Sequence, residues 1–290
     1  MRSEPRPPYP RQHQPAPGIE SKLKPRPRYE APLYKAAGKL LDKVAIITGG
    51  DSGIGRAVAV LFAREGADVA ISFLPREKRD ALATQRAVEA EGGRCLLLPG
   101  DVAKRAQCDA IVARTVREFG RLDILVSNAA HQSRKKSLAQ VTDDEFDRTF
   151  RTNVYAYFWL VRAALKHMKP GSVIIASSSE TGIFGSKELP DYSATKGAIN
   201  AFTKTLAMAL LDKGIRVNAV APGPVWTPLN PADPGLPPKR VAEFGSRNPM
   251  GRPAQPEELA PAYVYLASDA DSSYVTGTVM QVMGGETTGG

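Results

Sequence analysis

The sequence predicts an α/β chain: a doubly wound parallel sheet of about seven strands with helices on both faces, forming a single domain behind an extended N-terminal arm. Three observations carry that expectation. Seven short Val/Ile/Leu-rich runs are each bounded by Gly, Asp, Asn or Pro; longer segments of helical period lie between them; and a proline-rich stretch poor in aliphatic residues precedes the first run. Strict alternation of strand and helix implies a parallel sheet with right-handed crossovers.

The arm comes first. Residues 1–37 hold nine of the 24 prolines, eight Lys/Arg and three Glu, so five of the nine net positive charges of this 290-residue chain belong to them. Such a segment has no core of its own and is expected to be extended. It could contact nucleic acid or a membrane surface, or lie over the folded domain or a neighbouring subunit; no aromatic interleaving or basic helix supports the first. Neither nucleic acid nor membrane is therefore an expected partner, and the arm is expected to lie across an assembly and to be dispensable for chemistry.

From residue 38 to 290 the composition is that of an ordinary globular domain. The strand candidates are Val44 to Ile47, Val69 to Ser72, Cys95 to Leu98, Ile124 to Val126, Val173 to Ile175, Val217 to Val220 and Val279 to Val282. All seven are expected to be buried on both faces. Helical period marks Ile54 to Arg64, Arg76 to Glu91, Ala106 to Glu118, Asp143 to Lys169, Tyr192 to Leu211 and Glu257 to Ser268. In the first of these, Ile54, Val58, Leu61 and Phe62 share one stripe. Two cysteines, Cys95 and Cys108, cannot make a disulfide framework, and no secretory signal or apolar run of about 18 residues appears, which points to a soluble, reduced, cytoplasmic protein. No His, Cys or carboxylate cluster has metal-ligand spacing, so no metal is expected.

The first strand-to-helix junction reads Thr48-Gly49-Gly50-Asp51-Ser52-Gly53-Ile54-Gly55-Arg56. Glycines after a buried strand permit a tight turn and close backbone approach, and the helix N-terminus behind them offers N–H groups and a positive dipole end to a pyrophosphate. A second constellation, Tyr192-Ser193-Ala194-Thr195-Lys196, places Tyr and Lys four residues apart on one helical face. A lysine ammonium beside a phenol favours the phenolate, so the Tyr192 pKa is expected to fall. Ser179 ends the run Ile174 to Ser179 at the carboxyl edge of a strand, where ligands sit in open α/β sheets.

These elements, together with Gly100-Asp101-Val102, Ser127-Asn128-Ala129-Ala130, Asn153, Arg216-Val217-Asn218, Pro222-Gly223 and Gly284-Gly285, resemble the short-chain dehydrogenases/reductases over residues 40 to 287. More narrowly, the string Gly-Gly-Asp-Ser-Gly-Ile-Gly behind a proline-rich extension is similar to a bacterial branch that includes general-stress proteins. The resemblance implies a Rossmann-type enzyme moving a hydride between a nicotinamide dinucleotide and a carbonyl or alcohol. Tyr192 would be the general acid or base and Lys196 its partner and a ribose ligand. Ser179 would hold the substrate oxygen, with Ser178 as the alternative, and Asn153 would bind a water linking Lys196 to solvent. The alternative class is a dinucleotide-binding regulatory or scaffold protein without significant turnover.

For the cofactor, the resemblance implies contacts from Gly49, Asp51, Ser52, Gly53, Ile54, Gly55, Phe73, Leu74, Asp101, Val102, Asn128, Ala129, Tyr192, Lys196, Pro222, Gly223, Val225 and Thr227. Asp101 could instead be only a helix cap, and Arg56 could cap the loop. No Asp or Glu stands at the end of the second strand, in Ser72-Phe73-Leu74-Pro75-Arg76-Glu77-Lys78, while Arg76, Lys78 and Arg79 could meet a phosphate; NADP(H) is therefore favoured over NAD(H). Residues 224 to 253 fall where the family places a substrate lid. His131, Gln132, Ile183, Phe184 and Trp226 form the expected pocket, mostly apolar, favouring a small or medium aldehyde or ketone. The resemblance also implies a homotetramer pairing the helices at 143 to 169 and 192 to 211, and Tyr155, Tyr157, Phe158, Trp159 and Leu160 are more aromatic than one buried stripe requires.

Overall fold

The computed structural model describes residues 4–287; the first three residues of the arm and the last three of the domain lie outside the described residues. Seven strands form one sheet in the order β3-β2-β1-β4-β5-β6-β7, all neighbours parallel. They are β1 (Val44–Thr48), β2 (Asp68–Phe73), β3 (Cys95–Pro99), β4 (Ile124–Ser127), β5 (Val173–Ser177), β6 (Arg216–Pro222) and β7 (Val279–Val282). The winding reverses between β1 and β4, which places a crevice outside their carboxyl ends. The helices are α1 (Gly53–Arg64), α2 (Lys78–Ala90), α3 (Arg105–Phe119), α4 (Asp143–Phe150), α5 (Ala156–Ala164), α6 (Thr181–Phe184), α7 (Pro190–Ala209), α8 (Pro238–Ala242), α9 (Pro256–Ala267) and α10 (Asp269–Ser272).

Alternation along the strands builds the two cores. In β1, Ala45 and Ile47 face the cluster under α1, α2 and α9, while Ile46 faces the cluster under α3, α5 and α7; β5 divides Val173 and Ile175 from Ile174 and Ala176 in the same way. The edge strands depart from the expectation of double burial. β3 and β7 are mostly half-buried because each has a neighbour on one side only. The helix expected over 143 to 169 is also not continuous: a π turn, Arg151–Tyr155, separates α4 from α5.

The arm packs on its own domain. Tyr9 lies against Trp226, with ring centroids 4.3 Å apart, and Leu23 joins Trp226, Leu236 and Val241 in a small third core. Further along, the Arg28 and Ala31 amides donate to the side chains of Gln255 and Glu257 at the start of α9. Glu65, at the end of α1, accepts from the amides of Ala37 and Lys39. An extended chain without its own core is thus ordered by backbone N–H groups that find side-chain acceptors on the domain.

Candidate functional site

One cleft runs along the carboxyl ends of β1, β2, β4, β5 and β6. It gathers Gly49, Asp51, Ser52, Gly53, Ile54, Phe73, Leu74, Asp101, Val102, Asn128, Ala129, Ser179, Tyr192, Lys196, Pro222, Gly223, Val225 and Thr227 from the expected set, with His131 and Gln132.

At one end of the cleft, Tyr192 and Lys196 project from the first two turns of α7, whose first residue, Pro190, has the fixed φ that suits a helix start. The Lys196 ammonium donates to the Ser177 carbonyl at 2.6 Å and stands 5.3 Å from the centre of the Tyr192 ring. Ser179 lines the cleft with Tyr192 and accepts from the Thr181 amide and hydroxyl, each at 3.1 Å. Ser178 also lines the cleft, but its hydroxyl donates to Asn200 at 2.5 Å, whereas the Ser179 hydroxyl is the one that interacts with Tyr192. Gly182 explains the register: a Cβ there would come within 2.6 Å of the Lys196 backbone, so only a glycine lets α6 close over α7.

The electrostatics reverse one expectation. Burial pushes the Tyr192 phenol up to about 12, partly opposed by its bond to Ser179 and by the charge of Arg134, and burial pulls the Lys196 ammonium down to about 7. The expected fall in the Tyr192 pKa is not met, because desolvation of the phenol outweighs the influences that lower it.

Asn153 sits on the π turn, 3% exposed, and lies outside the cleft lining. Its carbonyl accepts from the His131 amide at 2.8 Å and its NH₂ donates to the His131 carbonyl and the Thr195 hydroxyl, each at 3.0 Å. Both of its donors are thereby used within the chain, and it ties the segment after β4 to α7. Asn128 has a similar tying role: it donates to the Thr48 carbonyl and accepts from Ser177, joining the tips of β1, β4 and β5.

At the opposite end, the glycine loop is close-packed. Gly49 and Gly53 have φ of +63° and +52°, and a Cβ on Gly55 would lie 2.0 Å from the Gly49 carbonyl oxygen, so Gly55 lies behind the loop rather than in the cleft wall. Arg56 is buried and donates to the Asp51 carbonyl and the Thr84 hydroxyl, the loop-capping role open to it in the sequence. Asp101 accepts from the Ala103 amide at 3.0 Å while facing the cleft, so it serves as a local cap as well as part of the wall.

Three expectations are corrected. Trp226 is fully buried, its indole N–H donates to the Pro25 carbonyl of the arm, and it does not line the cleft; the arm takes the face that a pocket would have used. Ile183 and Phe184 also lie outside the lining, because α6 turns them away, and Phe184 is exposed. Third, a carboxyl does stand at the tip of β2. A tight turn after Leu74 folds Glu77 back so that it accepts from the Leu74 amide at 2.7 Å beside Phe73. The acidic residue three positions after Leu74 is the sequence signal for this turn. Burial, reinforced by the charge of Asp51, pushes Glu77 up to about 8.

Sequence reasoning also missed Arg134, Arg148 and Asp233, since nothing in their spacing marks them. Arg134 and Arg148 line the cleft; Arg134 is held by Asp233 at 2.6 Å, and Asp233 also accepts from Gln132 at 3.0 Å. This end of the cleft is therefore more polar than the residues chosen from the sequence.

The residues fit a dinucleotide. The loop is a cradle that side chains would fill, α1 presents its N-terminus behind it, and the buried Ser72 Oγ near the end of β2 and one Asp51 carboxylate oxygen in the loop make no hydrogen bond within the chain.

Comparison with known proteins agrees. Residues 49–287 match the family profile described as enoyl-(acyl carrier protein) reductase. The chain is 54% identical over 269 residues to General stress protein 39 of Bacillus subtilis (strain 168), across 93% of each chain. It is 45% identical over 274 residues to NADPH-dependent aldehyde reductase 1, chloroplastic, of Arabidopsis thaliana, across 93% of this chain and 94% of that one. A solved short-chain dehydrogenase from Burkholderia cenocepacia in complex with NADP superposes with a TM-score of 0.78 at 32% identity, over 85% of this chain and 98% of that one.

Proposed function

This chain belongs to the short-chain dehydrogenase/reductase family, and we propose that within it the chain reduces a small or medium aldehyde or ketone, or oxidises the matching alcohol. The observation that carries this reading is that the hydroxyls of Ser179 and Tyr192 and the ammonium of Lys196 line one cleft, with Lys196 one turn behind Tyr192.

A bound nicotinamide dinucleotide supplies the hydride; the protein's part is placement and the proton. Ser179 and Tyr192 both offer O–H donors to a carbonyl oxygen at one point, which polarises the carbon and fixes its distance from the cleft floor. A phenol raised to about 12 is neutral at pH 7 and is therefore an acid ready to protonate the oxygen as hydride arrives. Lys196, held on the Ser177 carbonyl, keeps its ammonium beneath the ring, where it can bind a ribose hydroxyl and stabilise the phenolate left behind. Asn153 acts as a positioning residue, through His131 and Thr195. Residues 224 to 253, locked to the segment after β4 by Asp233, would be the lid over the substrate.

For the cofactor we favour NADP(H) at neutral pH. Arg76 lines the cleft beside the tip of β2, and Glu77, raised to about 8, is uncharged there; Asp51 is the opposing charge. The Arabidopsis relative is named for NADPH and the Burkholderia neighbour holds NADP. We further propose a cytoplasmic homotetramer. Phe146, Tyr155, Phe158 and Met208 on α4, the π turn, α5 and α7 are exposed apolar side chains that helix pairing would cover, whereas Tyr157 and Leu160 are core residues. Sedimentation at micromolar protein checks the assembly; a stable monomer would remove it.

The deciding experiment is a panel of aldehydes and ketones with NADPH and NADH, followed by absorbance, with Tyr192→Phe as control. Dinucleotide binding without turnover of any carbonyl or alcohol would favour the scaffold alternative.

A further inference from the structure

The arm makes its most deeply buried polar contact at the glycine loop. Glu20, 2% exposed, directs one carboxylate oxygen to the amide of Gly53, the first residue of α1, and the other to the Arg56 guanidinium. Arg56 in turn holds the Asp51 carbonyl, and Tyr29 of the arm lies across its guanidinium at 5.0 Å. The Glu20 amide donates to Asp80 of α2 at 2.7 Å, so this one residue connects the loop, α1 and α2.

Before Glu20 the arm is fastened again. Upstream, Gln14 donates its amide to the Pro231 carbonyl at 2.9 Å, and Tyr9 donates to the Ala242 carbonyl at 2.8 Å, both on the lid segment. Gly18, at φ +91°, passes so close to the lid that a Cβ would lie 2.7 Å from the Pro228 oxygen. Between these fastenings Ala16 and Pro17 form part of the cleft wall, next to Asp51, Ser52 and Gly53.

We propose that the arm is a structural wall of the dinucleotide site, and that Glu20 is a positioning residue that holds the glycine loop in its cofactor-binding shape. The inference rests on the reading of the cleft as a nicotinamide dinucleotide site. Arg56 is buried outside the cleft wall, and Glu20, Asp51, Thr84 and Asp80 engage four of its five N–H donors, so it is turned away from a cofactor phosphate. Its work is to fix the Asp51 carbonyl, and Glu20, whose carboxyl burial raises to about 7 while the Arg56 charge lowers it, is the ion-pair partner that lets a guanidinium remain buried there. With the loop held before the ligand arrives, less ordering is left to accompany binding. A carboxylate close to a pyrophosphate would by itself repel it; paired with Arg56, the two present no net charge.

The test uses the full chain with NADPH and NADH. Glu20→Gln keeps the shape and removes the charge; Glu20→Asp keeps the charge. The expected result is a roughly tenfold rise in the dissociation constant for the dinucleotide in Glu20→Gln, about 1.4 kcal/mol, with the loss in turnover confined to the KM for cofactor and partial recovery in Glu20→Asp. Binding and positioning are reciprocal, so in the wild-type chain saturating cofactor should slow hydrogen exchange at the amides of Ala16 and of residues 18 to 21. Unchanged affinity in Glu20→Gln alongside a lowered melting temperature would reduce Glu20 to a structural role and overturn the proposal. Tighter binding would overturn it too, by showing that the carboxylate competes with pyrophosphate. Exchange at Ala16 and residues 18 to 21 that ignores saturating cofactor would also count against the wall. If the wild-type chain binds neither dinucleotide, it is the dinucleotide reading itself that fails.

Discussion

The two ends of the cleft are built in different ways. At the chemical end, Ser179 comes from the turn after β5 and Tyr192 and Lys196 from the start of α7, and each is held locally, Lys196 on the Ser177 carbonyl and Ser179 by the Thr181 amide. At the glycine-loop end, the shape depends on Arg56 and on Glu20, which arrives from the arm 33 residues upstream of Gly53. The first end needs particular side chains, the second needs a backbone held in a particular shape. Substitutions should therefore remove chemistry at one end and affinity at the other.

The largest expected effect tests the chemical end. Tyr192→Phe removes the proton donor and leaves the ring in place, so kcat should fall by about 10²- to 10⁴-fold, the usual contribution of a general acid. The dissociation constant for cofactor, measured by fluorescence titration, should move little. Turnover retained in the variant would assign the proton to another group.

Trp226→Ala tests the arm's attachment. The indole is fully buried between Tyr9 and Phe244 and donates to the Pro25 carbonyl, and truncating a buried tryptophan costs about 3–5 kcal/mol. Hydrogen exchange in residues 9 to 25 should accelerate by about a hundredfold or more while the central strands keep their protection. Equal acceleration everywhere would show that arm and domain unfold as one unit.

Gly182→Ala asks how tightly the chemical end is packed. A methyl 2.6 Å from the Lys196 backbone must displace α6 or α7, at about 1–3 kcal/mol of stability, with kcat falling because Ser179 and Tyr192 move apart. Lowered stability with unchanged kcat would show that the hydroxyl pair tolerates the shift.

This difference between the ends also explains what could be read without a structure. All seven strands were legible because a strand buried among neighbours is a run of β-branched and aliphatic residues, and the Tyr-x-x-x-Lys and glycine motifs were legible because their spacing is their mechanism. Trp226 was misplaced because an aromatic in a proline-rich loop carries no sign of which surface will cover it. Here the cover is Tyr9 and Pro25, more than 200 residues away in sequence. Glu20 looked like one acid in a basic tail, since a buried ion pair with Arg56 is a fact of tertiary contact only. The π turn at Asn153 was hidden inside a continuous helical pattern, because one inserted residue leaves the apolar period almost unchanged.

The smallest expected effect concerns the choice of dinucleotide. Glu77 is held at the tip of β2 with its pKa raised to about 8, by burial first and by the charge of Asp51 second; Arg76 lowers it and Asp80 raises it. A raised carboxyl is neutral below its pKa and charged above it, so at pH 7 it adds no charge to the site and by pH 9 it adds one. The 2′-phosphate of NADP(H) has its own second pKa near 6 and is already fully charged across that interval. Only the protein's charge changes, and it changes towards repulsion. At the separations of a partly solvated cleft this is worth about 1 kcal/mol, so the affinity for NADPH relative to NADH should fall about fivefold between pH 7 and pH 9. Parallel titrations of the two cofactors measure the ratio directly. Glu77→Gln should flatten it at the value found at pH 7; a ratio that still falls in that variant would move the titrating charge to another group in the cleft.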